Sequence, residues 1–157
     1  MVEIPELVLD DQMEKWALDF DTWEICDQCC NNLFRKTPYS YNKIWDWSNR
    51  EEELLKRAAF VLMATLAVHD KQAPNKIFIK FFPLIIREST DSRNFVKKAV
   101  NWALRQIGKR NMELNNQAIK VCHKIEKINS KSAKWIARDA LRELKSEKIQ
   151  NKFKIVN

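Results

Sequence analysis

The chain has 157 residues, one glycine, four prolines and a formal net charge of +7. That length suits one domain with a real core and excludes a second of ordinary size. A single glycine, Gly108, leaves the φ > 0 turns of a many-stranded sheet almost without residues to make them, so hairpin-rich folds are excluded and helices are expected.

The charge is unevenly spread: residues 1–30 hold nine acids and one base, so the remainder carries +15. Such a surplus favours a polyanion, nucleic acid first, with an anionic membrane surface or an acidic protein next. No run approaches the ~20 apolar residues of a membrane span, and the start lacks a basic-then-apolar signal peptide, so a cytoplasmic protein is expected.

Helical periodicity, broken where Pro, Asn, Asp and Ser cluster, places helices at about 10–18, 22–36, 40–47, 51–69, 75–87, 93–110, 112–128 and 131–148. Asp10, Thr22, Ser40, Asn75, Ser92 and Ser130 stand where N-caps are needed. No linker divides the chain, which makes 1–150 one unit, and the polar tail after Lys148 is expected to fray.

In the helix at 22–36, Ile25, Cys26, Cys29, Cys30 and Leu33 form the core stripe. Trp23 and Asp27, one turn apart, stand together at its edge. Asp27 suits a salt bridge to Arg57 or a neighbouring helix, and equally a carboxylate offered with the indole to a ligand. Cys26 and Cys29 lack a second ligand pair at zinc-like spacing, and Cys122-His123 stands alone, so no metal is expected. Three cysteines on one helix face point to reduced thiols.

The helix at 51–69 is apolar nearly all round and therefore central, yet Arg57 lies within it. A guanidinium there needs an acid from elsewhere or a ligand phosphate, since its uncompensated burial costs several kcal/mol.

On the helix at 93–110, Val96, Val100, Ala103 and Ile107 form an apolar stripe with Lys98, Arg105 and Lys109 opposite and Trp102 among the bases. The helix at 131–148 repeats the pattern: Ala133, Ile136, Ala137, Ala140 and Leu144 face the core, and Trp135, Arg138 and Arg142 lie across from them. Either tryptophan can simply pack on the next helix, with the bases as a solvated face. Two helices with one pattern favour a nucleic-acid groove, bases on phosphates and indoles on sugar or base surfaces. His69 and His123 have no nucleophile setting, and no glycine-rich phosphate loop exists, which excludes nucleoside-triphosphate chemistry.

A weak repeat appears in Arg57-Ala58-Ala59, Lys98-Ala99-Val100 and Asp139-Ala140-Leu141, each 41 positions after the last. That period suits an all-α fold, an α-α superhelix of HEAT-like repeats or armadillo-type solenoid.

The segments Trp23-Glu24-Ile25-Cys26-Asp27, Lys56-Arg57-Ala58-Ala59, Phe95 to Arg105 and Trp135-Ile136-Ala137-Arg138-Asp139-Ala140-Leu141, in that order, resemble the DNA alkylation repair family of HEAT-like alkylpurine DNA glycosylases. Trp23, Asp27, Arg57 and Trp102 match four positions that line the family's concave DNA-binding surface. The resemblance implies a metal- and cofactor-independent, monomeric enzyme that excises positively charged N3- or N7-alkylated purines from double-stranded DNA. Asp27 would stabilise charge developing on the deoxyribose and position water. Trp23 and Trp102 would press on the lesion's sugar and backbone, and Arg57 would hold a phosphate. Lys98, Arg105, Lys109, Trp135, Arg138 and Arg142 would grip the duplex, giving a nucleoid-associated protein. Compared with that family the chain starts near the Trp23–Asp27 helix, so amino-terminal helices that complete the cradle are expected to be missing. A non-catalytic scaffold for distorted or branched DNA needs the same bases but not Asp27, and a helical-repeat protein adaptor would bind an acidic partner protein without salt-dependent DNA affinity.

Overall fold

Helices are the only regular structure in the computed structural model, which describes residues 4–155. They are α1 (Asp10–Leu18), α2 (Trp23–Asn32), α3 (Ser40–Trp47), α4 (Glu53–His69), α5 (Asn75–Ile79), α6 (Phe82–Glu88), α7 (Asn94–Gly108), α8 (Met112–Glu126), α9 (Lys131–Leu144) and α10 (Glu147–Ile155), with 3-10 turns at Pro5–Leu7 and Phe34–Lys36. No helix among the described residues is long and apolar enough to cross a membrane.

The helices form two layers of an α-α superhelix. In one, α2, α4, α7 and α9 pack side by side in that order; α1, α3, α6 and α8 pack against them as the second layer. The 41-residue recurrence maps onto the first layer. Its clusters fall on α4, α7 and α9, and Ala58, Ala59, Ala99, Val100 and Ala140 are fully buried. Small side chains at these points let neighbouring helices approach closely. Gly108 serves the same end: a Cβ there would lie 2.7 Å from Leu144 and 3.0 Å from Ala118, inside contact distance.

Hydrogen bonds from side chains to backbone tie successive repeats together, using carbonyls that helix ends leave unpaired. Ser48 and Ser89, themselves 41 positions apart and both buried, end α3 and α6. The carbonyl of Ser48 accepts from Arg87 at 3.1 Å, and that of Ser89 accepts from the Ser132 hydroxyl at 2.9 Å. Past the end of α4, Arg110 donates to the carbonyls of Ala67, Asp70 and Ala73 and stacks 4.6 Å from the Phe78 ring centre. Near the amino end, the buried Lys43 ammonium is held by Asp10 at 2.6 Å and Glu14 at 3.0 Å, and the Trp47 indole N–H donates to Glu14. Part of the acidic amino-terminal charge is thus engaged inside the fold.

Several boundaries differ from the sequence expectation, each for a local reason. The helix expected at 22–36 stops at Asn32, where Leu33 leaves helical geometry and Arg35 takes the free Asn31 carbonyl. The one expected at 75–87 divides into α5 and α6, because Pro83 has no N–H and its ring obstructs the carbonyl four residues back, where α5 ends. Thr22 and Ser130 cap their helices as expected. Asp10, Ser40 and Asn75 are instead first helical residues. Ser92 yields its place to Arg93, whose N–H is taken by Asp91. Asn111, an N-cap the sequence reading missed, accepts from the N–H of Leu114.

The expected frayed tail is the largest correction. After a break at Lys145 the chain re-forms a helix, α10, which buries Ile149 and Phe153. Their spacing of four residues is one helical turn, enough to dock the helix. Phe153→Ala is expected to cost about 3 kcal/mol of that docking. Hydrogen exchange should then rise sharply over 147–155 while α4 and α7 stay protected, and unchanged exchange would mean that the helix does not depend on this contact.

Candidate nucleic-acid interface

The site begins with the stripe Trp23, Asp27 and Asn31 on α2, spaced four apart and hence on one helix face. Thr22 fixes the start of α2, its hydroxyl accepting from the Ile25 N–H at 3.3 Å. On the other side of the helix Cys26 and Cys30 pack into the core, their thiols facing the Leu54 and Ala58 carbonyls of α4 at 3.4 and 3.8 Å. Burial pushes the Cys29 and Cys30 thiols up and raises Cys122 to about 12. They are core residues rather than nucleophiles.

Arg57 rises from α4 to meet that stripe. Its Nε and Nη2 donate to the two Asp27 carboxylate oxygens at 2.9 and 2.8 Å, and Nη1 donates to the Phe95 carbonyl of α7 at 2.7 Å. The guanidinium carbon lies 5.7 Å from the Trp23 ring centre. Arg57 is only 7% exposed; a charge so placed is stable only when paired and hydrogen-bonded, and the two-pronged geometry provides both. The acid that the sequence required for Arg57 is therefore Asp27, and the pair ties three inner helices at one point.

Beyond the pair opens a hollow of about 370 Å³ lined by Asp27 and Asn31 of α2, Thr65, Val68 and His69 of α4, and Trp102 of α7. Asp27 and Trp102 share this hollow, while Arg57 and Trp23 stand behind Asp27 and do not line it. Trp23 is 42% exposed, whereas Trp102 is half-buried and packs against the core as well as lining the hollow. Trp102 thus meets both expectations in part, packing on the core and lining a concavity. His69 was read as an ordinary helix-end residue, yet it stands at this hollow; desolvation and the charges of Arg35, Lys71 and Lys36 hold its pKa below 6.5. Sequence reading missed it because its only signal was proximity across helices.

The bases divide into engaged and free. Arg105 donates to Asn101 and to Glu143 of α9, and Lys109 lies 3.2 Å from the same Glu143. Burial would raise the Glu143 carboxyl, but the bonds from Arg105 and Lys109 outweigh it and hold it below 4.5. The acid-free appearance of 93–110 was a property of that segment alone, since α9 supplies the counter-charge. Lys98 and Arg138 are exposed and make no ion pair among the described residues, while Arg142, 78% exposed at its side chain, leans on Asp139 at 3.5 Å. Lys97 lies 4.9 Å over the ring of Trp135, itself 40% exposed, joining the outward faces of α7 and α9 in one cation–aromatic contact. That pairing was not anticipated. The cations of α7 and α9 without an acid partner are therefore Lys97, Lys98 and Arg138, with Lys97 on the Trp135 ring and Arg142 only loosely held by Asp139. No group of three or more potential metal ligands occurs among the described residues.

A protein-family model described as DNA alkylation repair enzyme matches residues 6–144 of the chain. No curated protein and no solved structure gives a significant match.

Removing the Asp27 carboxylate while leaving Arg57 in place strands a buried cation, which makes Asp27→Ala destabilising by about 2–3 kcal/mol, somewhat below the fully buried case because the carboxylate is partly solvated. The double variant with Arg57→Met should recover much of that loss in urea denaturation. A double variant no more stable than Asp27→Ala alone would show that the stranded charge is not what destabilises the single.

Proposed function

The chain belongs to the DNA alkylation repair enzyme family, and from that premise we propose that it is a monofunctional DNA N-glycosylase that excises positively charged N3- or N7-alkylated purines from duplex DNA. One observation supports this most: the Asp27 carboxylate, held by Arg57 under the face of Trp23, opens into the same hollow as Trp102.

The chemistry follows from the charge of the lesion. As the glycosidic bond breaks, its electron pair moves to the cationic base, which leaves neutral, and positive charge appears at C1′ of the deoxyribose. A carboxylate fixed beforehand stabilises that charge without reorganising. Water then adds to C1′ and loses its proton to the carboxylate or to solvent, leaving an abasic site. Because the base departs neutral, no acid need protonate it. Trp23 and Trp102 would press on the sugar and backbone, and their π faces attract the polarised C–H groups there.

In this reading Arg57 is a positioning residue. Its Nε, Nη1 and Nη2 are already bonded to Asp27 and Phe95, so the phosphate contacts pass to the half-buried Lys97 and to exposed Lys98, Arg138 and Arg142. The 41-residue unit is then a HEAT-like repeat whose inner helices face the duplex.

The Asp27–Arg57 pair also meets a purely structural need, and this favours a second reading, a non-catalytic DNA-binding scaffold. Base release from methylated duplex DNA separates the two. Asp27→Asn, which keeps the shape and one carbonyl acceptor for Arg57, should retain duplex binding while lowering release about 10²–10³-fold. Lys97→Glu with Arg138→Glu should weaken binding itself. Wild type that binds the duplex and releases no base would leave the scaffold.

A further inference from the structure

A second and larger concavity, about 880 Å³, lies between the carboxyl ends of α4 and α7 and the side of α10. Its charged lining is Lys71, Lys109, Arg110, Lys148 and Lys152 against a single acid, Glu143. Two of the five cations are already engaged: Arg110 covers the carbonyls at the end of α4, and Lys109 pairs with Glu143. The negative ends of the helix dipoles are thereby neutralised from within. Lys71, Lys148 and Lys152 remain, exposed and with no acid partner among the described residues.

The wall that closes this cleft is α10. Its Ile149 and Phe153 dock inward, while Lys148, Lys152 and Ile155, spaced four and three apart, turn one face to the cleft. The helix begins at Glu147, beyond residue 144 where the family match ends. Val68 lines both this cleft and the Asp27 hollow, so the two adjoin at the end of α4.

We propose that the α10 cleft is a phosphate-binding site that takes the sugar–phosphate backbone of the duplex beside the nucleotide held at Asp27, with Lys71, Lys148 and Lys152 as its free cations. It rests on the reading that duplex DNA occupies the inner face. Three unpaired ammonium groups around one concavity create a local positive potential that a run of phosphodiesters neutralises with release of counterions. A free oligophosphate shares this chemistry, but the adjacency of the two concavities at Val68 favours a chain long enough to reach both.

The test is fluorescence anisotropy of the full chain on a labelled duplex between 50 and 200 mM salt, with wild type and Lys148→Gln/Lys152→Gln. Each lost phosphate contact reduces the salt slope of log K by about 0.9, so the double variant should lose about two units of slope and bind roughly tenfold or more weakly. Hydrogen exchange over 147–155 should stay as in wild type, showing that α10 remains docked. An unchanged slope overturns the cleft. So does inorganic triphosphate binding that the two substitutions abolish while duplex affinity is untouched, since the ligand would then be a free oligophosphate. Failure of the glycosylase reading looks different: no base is released, yet the slope still responds to α10.

Discussion

A guanidinium buried in the central helix constrains the rest of this molecule. Arg57 sits where α4 is otherwise apolar on nearly every side, and its desolvation must be met locally. The sequence meets it from two directions, with the Asp27 carboxylate from α2 and the Phe95 carbonyl from α7. These three bonds fix the spacing of the inner layer at one point, and Asp27 at that point lines the hollow. Such a pair adds little net stability compared with a well-packed apolar substitute. What it supplies is a carboxylate with a defined position and direction, which an apolar core cannot.

Charge segregation follows from the same geometry. The amino-terminal acids are partly consumed around Lys43 and Trp47, and the inner cations Arg105 and Lys109 by Glu143. Among the cations without an internal acid, Lys98 and Arg138 lie on α7 and α9, and Lys71, Lys148 and Lys152 line the α10 cleft. A net charge of +7 therefore says less about partners than the map of which cations lack an internal acid.

Much of this was legible in the sequence and some was not, for physical reasons. The helix class followed from one glycine and from apolar periodicity. The 41-residue recurrence located α4, α7 and α9 because small residues are required wherever inner helices touch. The need of Arg57 for an acid was legible from burial cost alone, and one-turn spacing put Asp27 and Trp23 together. Illegible were contacts between segments: Glu143 reaching back to Arg105, Lys97 meeting Trp135, and His69 at the mouth of the hollow. The α10 helix was misjudged because its tail was read by polarity, when two apolar residues one turn apart suffice to dock a short helix.

A carboxylate that already holds a guanidinium is partly neutralised, and distance decides how much attraction it keeps for a second cation. The two bonds from Arg57 approach Asp27 from the α4 side, leaving other lone pairs of the carboxylate towards the hollow. A developing charge about 4 Å from the carboxylate and about 8 Å from the guanidinium would feel an attraction of roughly 4 kcal/mol against a repulsion of roughly 2 at an effective dielectric of about 20. The net remainder, about 2 kcal/mol or roughly 30-fold in rate, is the electrostatic part of the loss expected for Asp27→Asn, with placement of the attacking water supplying the rest. Holding the carboxylate in place costs part of its field, and the position it gains is what makes the rest available when the charge appears.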